Sequence, residues 1–274
     1  MKLGFIFTNY NNTKYTEFVV NSILNLQLLS EYMIVIVDNN SDLDNIKRLQ
    51  TLESKQGNVS VIFSEKNLGY FRGLNAGINY LKNKFDFELC IIGNNDLIFP
   101  IDFISNLIRN KSLFEKFPVI SPNIITMDGI HQNPHVIREI SKIRELFYDL
   151  FYTNYVLAKI IKVAARLTKF LTDRSDEKEH EISRPIYQGY GACYILTQVF
   201  FYHFNELWAP TFLMGEEFFL SKQLESRHYQ FYYEPSIVVK HFCHATVNKM
   251  PGKSLWRMGK ESHKLYRQYV KLNK

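Results

Sequence analysis

Residues 90–100, CIIGNNDLIFP, are the stretch from which both the fold and the site of this chain can be inferred. The apolar run at 89–92 that leads into it is typical of a short buried strand. Alternation along an extended chain points Asn94 and Asp96, which follow the strand, to the same side. Two oxygen-bearing side chains at the carboxyl end of a strand suit a hard cation such as Mg²⁺ or Mn²⁺. The alternative is a plain polar turn, in which Asn and Asp are common.

Composition indicates a packed protein of 274 residues, long enough for one large domain or two small ones. The net charge of +6 permits an anionic partner, such as a nucleotide diphosphate, a nucleic acid or an acidic membrane surface. The three cysteines include no CxxC pair, which argues against a zinc site or a disulfide framework and favours a reducing cytoplasm. No apolar run is long enough for a signal peptide or a membrane span, so we expect a soluble or peripheral protein.

Four apolar runs predict buried strands, and segments with helical periodicity alternate with them. This alternation predicts an α/β fold with a Rossmann-like, mostly parallel central sheet flanked by helices. In such a sheet, the polar clusters that end successive strands meet at one cleft. The strands are expected at 3–7, 33–37, 59–63, 88–92, 119–122, 229–233 and 237–239. Helices are expected at about 16–29, 43–53 and 101–114, and a further helix follows the segment 65–77 and ends at about 84.

Two of the strand ends suggest contacts with a nucleotide. Asp38 could accept hydrogen bonds from a uracil or thymine N–H or from ribose hydroxyls, unless Asp38 or Ser41 caps the next helix. The segment 65–77, EKNLGYFRGLNAG, has glycines that permit close backbone approach, a helix start that offers N–H groups to phosphate, and the fixed charge of Arg72. It lacks the GxxxxGK[ST] pattern of a P-loop, and a glycine-rich loop with a surface arginine is the alternative.

The second half of the chain contains a segment of different character at about 138–173. Apolar residues recur there near helical spacing with Arg and Lys between them, which predicts two basic amphipathic helices before the charged run 173–181. They could bind a membrane surface or the acceptor. The alternatives are an ordinary helical insertion packed on the sheet or a dimer contact. A basic helix is also expected at 255–274.

Acids and histidines follow in the last third of the sequence. Glu216 and Glu217 open a helix, where acids commonly complement the helix dipole, but at a sugar-binding cleft one of them could be a general base. His241 and His244 lie just beyond the strand at 237–239. Either could bind a metal or a phosphate, although a lone histidine is more often structural.

The order of these signals resembles that of family 2 glycosyltransferases with the GT-A fold, in particular their bacterial rhamnosyltransferase-like branch. The resemblance implies a single GT-A domain over 1–274, with a nucleotide-sugar-binding half at 1–120 and an acceptor-binding half at 121–274. The latter would include the helical insertion at about 138–185 and the C-terminal helix. The matching stretches are FIFTNYNN near the start, VIVDNNSD ending at 42, NLGYFRGLNAGI at 67–78, IIGNNDLIFP at 91–100, GYGACYIL at 189–196, MGEEFFLSKQL at 214–224 and YYEPSIVVKH at 232–241.

The resemblance also implies roles for individual residues. Glu217 would occupy the position of the general base, with Glu216 as the other catalytic candidate. Asp96 and His241 would bind the metal. The nucleotide and donor would be bound by Thr8, Asn9, Tyr10, Asp38, Asn40, Asn67, Gly69, Arg72, Gly73, Asn75, Asn94 and Asn95.

Two positions depart from the family pattern. Asn94 stands where the DxD-like motif has its first acid, which lowers the negative charge and predicts looser metal binding, held mainly by Asp96 and the diphosphate. The usual Glu-Asp pair is Glu216-Glu217 here, which leaves the assignment of the base between them open.

The function implied is an inverting, metal-assisted glycosyltransferase that uses Mg²⁺ or Mn²⁺. It would move a sugar from a nucleotide-diphosphate sugar, UDP- or dTDP-linked, to a hydroxyl of a cell-surface glycan or lipid-linked acceptor in polysaccharide biosynthesis. The alternative is a non-catalytic nucleotide-sugar-binding subunit of a polysaccharide assembly complex. A sugar nucleotidyltransferase would carry a glycine-rich basic loop after the first strand, which TNYNN lacks. We expect a cytoplasmic protein, free or peripheral on the inner face of the membrane, with a homodimer left open and no nucleic-acid partner.

Overall fold

Nine strands form one mixed sheet within the residues that the computed structural model describes, 1–28, 30–167, 176–243 and 252–270. The strands are β1 (Lys2–Asn9), β2 (Glu31–Asp38), β3 (Val59–Phe63), β4 (Leu89–Asn94), β5 (Leu97–Ile98), β6 (Val119–Thr126), β7 (Arg184–Ile186), β8 (Cys193–Thr197) and β9 (Phe231–His241). Their order across the sheet is β3-β2-β1-β4-β8-β6-β9-β5, and β7 also pairs with β9.

Helices cover both faces and one end of this sheet. In the described residues they are α1 (Thr13–Leu24), α2 (Leu43–Lys55), α3 (Tyr70–Lys84), α4 (Phe103–Arg109), α5 (Lys111–Phe114), α6 (Lys142–Thr153), α7 (Tyr155–Leu167), α8 (Gln198–His203), α9 (Glu216–Glu225) and α10 (Gly252–Tyr269). A short 3₁₀ turn, Asp176–Glu179, precedes β7.

The first four predicted strands are β1 to β4, and they run parallel to one another as expected. The register pairs Asn9 with Asp38 across β1 and β2, and Thr8 with Asn94 across β1 and β4. The polar ends of these three strands therefore lie at one edge of the sheet. The α/β prediction is confirmed, but the sheet is mixed beyond β4, because β8 runs antiparallel to both β4 and β6.

The apolar runs of the sequence reflect a sheet that is buried on both faces. Phe5 and Phe7 point into the core formed with Val20 of α1, whereas Ile6 points into the core formed with Leu74 of α3. All five side chains are fully buried. A strand covered on both faces is apolar at every position rather than at alternate ones, which is why these strands could be recognised from sequence.

Two predicted elements differ from the observed ones. The two short strands predicted at 229–233 and 237–239 are the single strand β9, because the ladder with β6 continues past an irregularity that shifts the register between Pro122 and Asn123. The single helix predicted at 101–114 is the pair α4 and α5, separated at Asn110.

The predicted basic helices of the insertion are α6 and α7, and α10 packs against α6. The indole N–H of Trp256 donates to the carbonyl of Phe151 at 3.0 Å. Leu29, residues 168–175 of the insertion and the chain end at 271–274 lie outside the described residues. None of the helices in the described ranges has the length and apolar character needed to cross a membrane.

We expect Gly69→Ala to destabilise the fold by about 2–4 kcal/mol. Gly69 precedes α3 with φ at +82°, and a Cβ there would lie 2.1 Å from the backbone oxygen of Phe212. Urea unfolding of both proteins would measure the loss. Gly57→Ala is the matched control, because a Cβ at Gly57 meets nothing within 4 Å, and equal losses in the two variants would contradict the explanation.

Candidate functional site

The polar ends of β1, β2 and β4 are joined by a buried hydrogen-bond network around Asp38. Its carboxylate is 1% exposed. It accepts bonds from the amide of Asn9 at 2.8 Å, and from the Ser41 hydroxyl at 2.6 Å and backbone N–H at 3.0 Å. Asn9 in turn accepts from Thr16 at 2.9 Å and from the Asn95 amide at 3.2 Å. The structure thus brings Asn9, Asp38 and Asn95 together.

The loops beyond these strand ends are tied to each other. Asn11 donates its backbone N–H to the Ser41 hydroxyl at 2.8 Å and accepts the backbone N–H of Asp42 at 2.8 Å. Tyr10 and Asn40 lie in these loops with exposed side chains. The cap of α2 is Asp42, which accepts the backbone N–H of Asn45, rather than Asp38 or Ser41.

Asn39 brings the start of α3 to the same edge. Its amide donates to the carbonyl of Gly69 at 3.1 Å and accepts from the backbone of Leu68 at 3.3 Å. Asn67 accepts the N–H of Gly69 at 2.9 Å. A Cβ at Gly73 would lie 2.9 Å from the methyl group of Thr8, so α3 and β1 are in close contact there.

Arg72 and Asn75, also predicted to bind the donor, point elsewhere. The guanidinium of Arg72 donates to the carbonyls of Ala209 at 3.1 Å and Pro210 at 3.3 Å. Asn75 is buried and exchanges two hydrogen bonds with the backbone of Leu207. Both side chains hold the segment before α9 against α3, beside a groove of about 830 Å³. Their role in donor binding stays a prediction, and their observed contacts are with this segment.

Asp96 and His241 lie side by side, as their predicted joint role requires. The Oδ1 atom of Asp96 is 3.1 Å from Nε2 of His241, and both side chains are nearly fully buried. Nδ1 of His241 is 2.7 Å from Oε1 of Gln132. If Nδ1 donates to that oxygen, the neutral ring turns an Nε2 lone pair toward a carboxylate. A proton or a cation between them would turn this repulsion into attraction.

The chemistry of this donor set fits a divalent cation. A metal-bound imidazole usually donates its other N–H to an oxygen, as His241 can to Gln132. Asn94, half-buried at the end of β4, lies two residues before Asp96. Among the described residues no group of three or more His, Cys, Asp or Glu side chains forms a complete metal cage, so an ion here would need further oxygens from its ligand or from water. His244 lies outside the described residues.

The acidic pair opens α9 after Gly215, and its two members differ in environment. Glu217 is half-buried, and its Oε1 accepts the backbone N–H of Gly191 at 3.3 Å. Glu216 is buried, and its Oε1 has no hydrogen-bond partner. Burial, followed by the charge of Glu217, raises the pKa of Glu216 to about 8. Glu216 is therefore mainly protonated at neutral pH.

Two tyrosines that were not predicted as site residues connect the acidic pair to Asp96. The hydroxyl of Tyr70 donates to the carbonyl of Gly191 at 2.7 Å. Burial, chiefly, raises the pKa of Tyr70 well above its usual range, with additions from Cys193 and from the carboxylates of Glu216, Glu217 and Asp96.

Burial likewise raises the pKa of Tyr190, and Glu217 and Asp96 add to the effect after Cys243. The ring of Tyr190 lies with its centroid 6.2 Å from that of His241, the partner of Asp96. Gly191, which bonds to Tyr70, also donates to Glu217. Asp96 and Glu217 therefore lie near the same two tyrosines. Tyr70 and Tyr190 each stand beside a glycine in a motif that we singled out, but a tyrosine next to a glycine gives no sign of whether its ring enters a site.

The comparisons with known proteins agree with this geometry. Residues 5–158 match the family described as Glycosyl transferase family 2. The fold is similar to that of GalNAc-T7 with UDP, GalNAc and Mn²⁺, at 13% identity and a TM-score of 0.57. It is also similar to that of S. aureus TarS, at 12% identity and a TM-score of 0.58, and to that of residues 1–349 of TarS, at 14% and 0.50. At these identities the likeness shows the fold, which is GT-A as expected.

The chain spans only part of these solved proteins. The match with GalNAc-T7 covers 88% of this chain and 43% of the GalNAc-T7 chain. For TarS the shares are 88% and 36%, and for the shorter TarS chain 85% and 60%. No curated protein matches the sequence.

We expect Glu216→Gln to change how stability depends on pH. The folded protein holds the Glu216 proton up to a pKa of about 8, against the ordinary pKa of 4.5 for a glutamate, so the stability that this proton confers is lost as pH rises between these values. The variant lacks this loss, and its stability relative to the unaltered protein should rise from pH 5 to pH 8 in urea unfolding. Glu225→Gln, on the same helix, is the control. A difference that stayed constant with pH would contradict a buried, protonated Glu216.

Proposed function

The chain belongs to glycosyl transferase family 2, and from this we propose that it is an inverting glycosyltransferase. It takes a sugar from a UDP- or dTDP-sugar and transfers it to a hydroxyl of a cell-surface glycan or lipid-linked acceptor. The observation that carries the proposal is the placement of Asp96 with His241, and of Glu217 with Glu216, around Tyr70 and Tyr190 at the carboxyl edge of the sheet.

In this proposal the whole chain 1–274 acts as one domain on the cytoplasmic side of the membrane, in polysaccharide biosynthesis. Residues 1–120 bind the donor and 121–274 bind the acceptor. Carboxyl ends of parallel strands are the usual ligand site of open α/β sheets. Thr8, Tyr10 and Asn40 belong to the strand ends and loops beside the Asp38 network, and Asn67, Gly69 and Gly73 belong to the segment that opens α3 at the same edge.

Asp96 and His241 would hold a divalent cation, Mg²⁺ or Mn²⁺. When bound, this ion supplies positive charge that stabilises the leaving diphosphate. GalNAc-T7, which shares the fold, is the neighbour solved with Mn²⁺ and UDP. The residues of this chain have the separate task of placing the acceptor hydroxyl and receiving its proton.

Glu217 is better suited than Glu216 to receive that proton. Its side chain is half-exposed, so it can approach an acceptor, and its Oε1 accepts the backbone N–H of Gly191 at 3.3 Å. Glu216 is buried and protonated near neutral pH because of its raised pKa of about 8. As the acceptor oxygen bonds to the anomeric carbon, its proton passes to Glu217 and the bond to the diphosphate breaks, which inverts the configuration.

The alternative is a non-catalytic nucleotide-sugar-binding subunit of a polysaccharide assembly complex. Asn94 favours it, because an amide replaces an acid beside Asp96. Hydrolysis of the donor by the purified protein with Mn²⁺ supports the enzyme. Donor binding without hydrolysis or transfer to any acceptor supports the binding subunit.

We expect Glu217→Gln to reduce sugar transfer by about 10²–10⁴-fold, the usual contribution of a positioned base. Donor affinity, measured by isothermal titration, should change little because the diphosphate is bound elsewhere. Glu225→Gln is the matched control on α9, since the Glu225 carboxylate forms an ion pair with Lys222 at 2.6 Å and should be dispensable. Full turnover of Glu217→Gln would rule out the base assignment.

We expect Asp96→Asn to remove most of the effect of Mn²⁺ on UDP affinity, a loss of about 10-fold or more by analogy with other disturbed metal sites. Titration with UDP, with and without Mn²⁺, measures this effect. Asp86→Asn is the control, because the Asp86 side chain is 89% exposed. A UDP affinity of the unaltered protein that does not respond to Mn²⁺ or Mg²⁺ would remove the metal from the mechanism.

A further inference from the structure

The helix α6 presents an apolar stripe to solvent. The stripe consists of Ile143, Leu146, Phe147 and Leu150, which are 72%, 52%, 56% and 43% exposed. Their spacing of three and four residues places all four on one side of the helix. Such a run of exposed apolar side chains is unusual for a surface that faces only water.

The neighbouring helix α7, which packs on α6, repeats the pattern. Val156, Ile160 and Val163 share one side of it and are 64%, 60% and 55% exposed. The inward side of α7 is marked by Ala158, which is buried. We call these seven exposed apolar side chains, four on α6 and three on α7, together the apolar stripe.

The two acids of the α6–α7 segment are turned away from the stripe, toward α10. Glu145 is buried, with Oε2 3.2 Å from the guanidinium of Arg267. Asp149 pairs with Arg267 as well and lies 2.8 Å from Nε2 of His263. Since residues 142–164 contain no other acid, the negative charge of the segment is compensated inside the protein.

The basic residues of the same segment lie beside the stripe. Each residue advances about 100° around a helix, so Lys142 and Arg144 flank Ile143 on either side. Lys159 and Lys162 are exposed along one side of the stripe of α7. Apolar side chains bordered by cations, with no acid turned outward in 142–164, are typical of a helix that lies on an anionic lipid surface.

We propose that the apolar stripe of α6 and α7 docks on an anionic lipid surface, with the lysines and Arg144 at the level of the phosphates. A second copy of this chain would suit the stripe less well. Two copies meeting through it would bring cations against cations without an acid between them, which costs free energy. Anionic headgroups supply the missing negative charge.

The docked segment is joined to the candidate site through α10. The hydroxyl of Ser262 donates to the carbonyl of Leu213 at 2.7 Å, in the loop that leads to Glu216. The phenol ring of Tyr266 packs on Phe218, with ring centroids 4.2 Å apart. Docking therefore holds the acidic pair at a fixed place relative to the lipid surface. The proposal itself rests on the exposed helices and stands apart from sugar transfer.

The test is sedimentation of the full chain with vesicles. One set is phosphatidylcholine, and the other is phosphatidylcholine and phosphatidylglycerol in equal parts. Binding should require the anionic lipid and weaken as salt rises. The double variant Lys159→Gln, Lys162→Gln should weaken it roughly 25-fold, at about 5-fold for each cation near the surface. The double variant Phe147→Glu, Ile160→Glu should abolish it.

Leu43→Glu is the matched control, because Leu43 is 72% exposed on α2 and its change should leave binding intact. Donor hydrolysis by each variant shows that the site is still folded and separates this proposal from the proposed function. The proposal is overturned if both vesicle sets bind equally or not at all, or if Leu43→Glu weakens binding as much as the stripe variant. It is also overturned if sedimentation velocity shows a dimer that the stripe variant dissociates and vesicles do not bind.

Discussion

The hydrogen-bonded carboxylate of Asp38 is the interaction on which the geometry of the site depends. A buried carboxylate is costly unless it is hydrogen-bonded, and Asn9 and Ser41 provide three bonds to it. The side-chain oxygen of Asn9 accepts a hydrogen bond from the amide of Asn95, so the ends of β1, β2 and β4 are held in one arrangement. Asp96 follows Asn95 directly. Its position at the sheet edge is therefore fixed by the network beside it.

Across from this edge, α9 holds two adjacent acids in unlike environments. Glu216 is buried and its pKa is raised to about 8, whereas Glu217 is half-exposed and bonded to Gly191. Two neighbouring carboxyl groups in unlike surroundings are an arrangement that acid–base chemistry uses. Because Glu216 is mainly neutral, it adds little to the negative charge beside Glu217. The unbonded oxygen of Glu216 is the cost of this arrangement in stability.

Sequence indicated the parallel half of the sheet well because its strands are buried on both faces and each is followed at once by its own polar cluster. It could not indicate features that depend on distant pairing. The antiparallel β8 and the two-residue β5 are defined by their partners, β4 and β9, and not by their own pattern. Arg72 was predicted from local signals to meet phosphate, but its direction is set by the carbonyls of Ala209 and Pro210, far along the chain. Tyr70 was missed for the same reason, since its partner is Gly191.

The charges at this edge give a reason why an amide can stand at position 94. In the proposed function, the donor brings a diphosphate with several negative charges of its own. A second acid at position 94 would repel it, whereas Asn94 leaves Asp96 as the fixed anion beside His241. A cation then obtains much of its attraction from the diphosphate rather than from the protein, so that metal and donor each raise the affinity for the other by the same factor. The substitution thus favours a site that takes up its cation together with the donor over one that holds the cation beforehand.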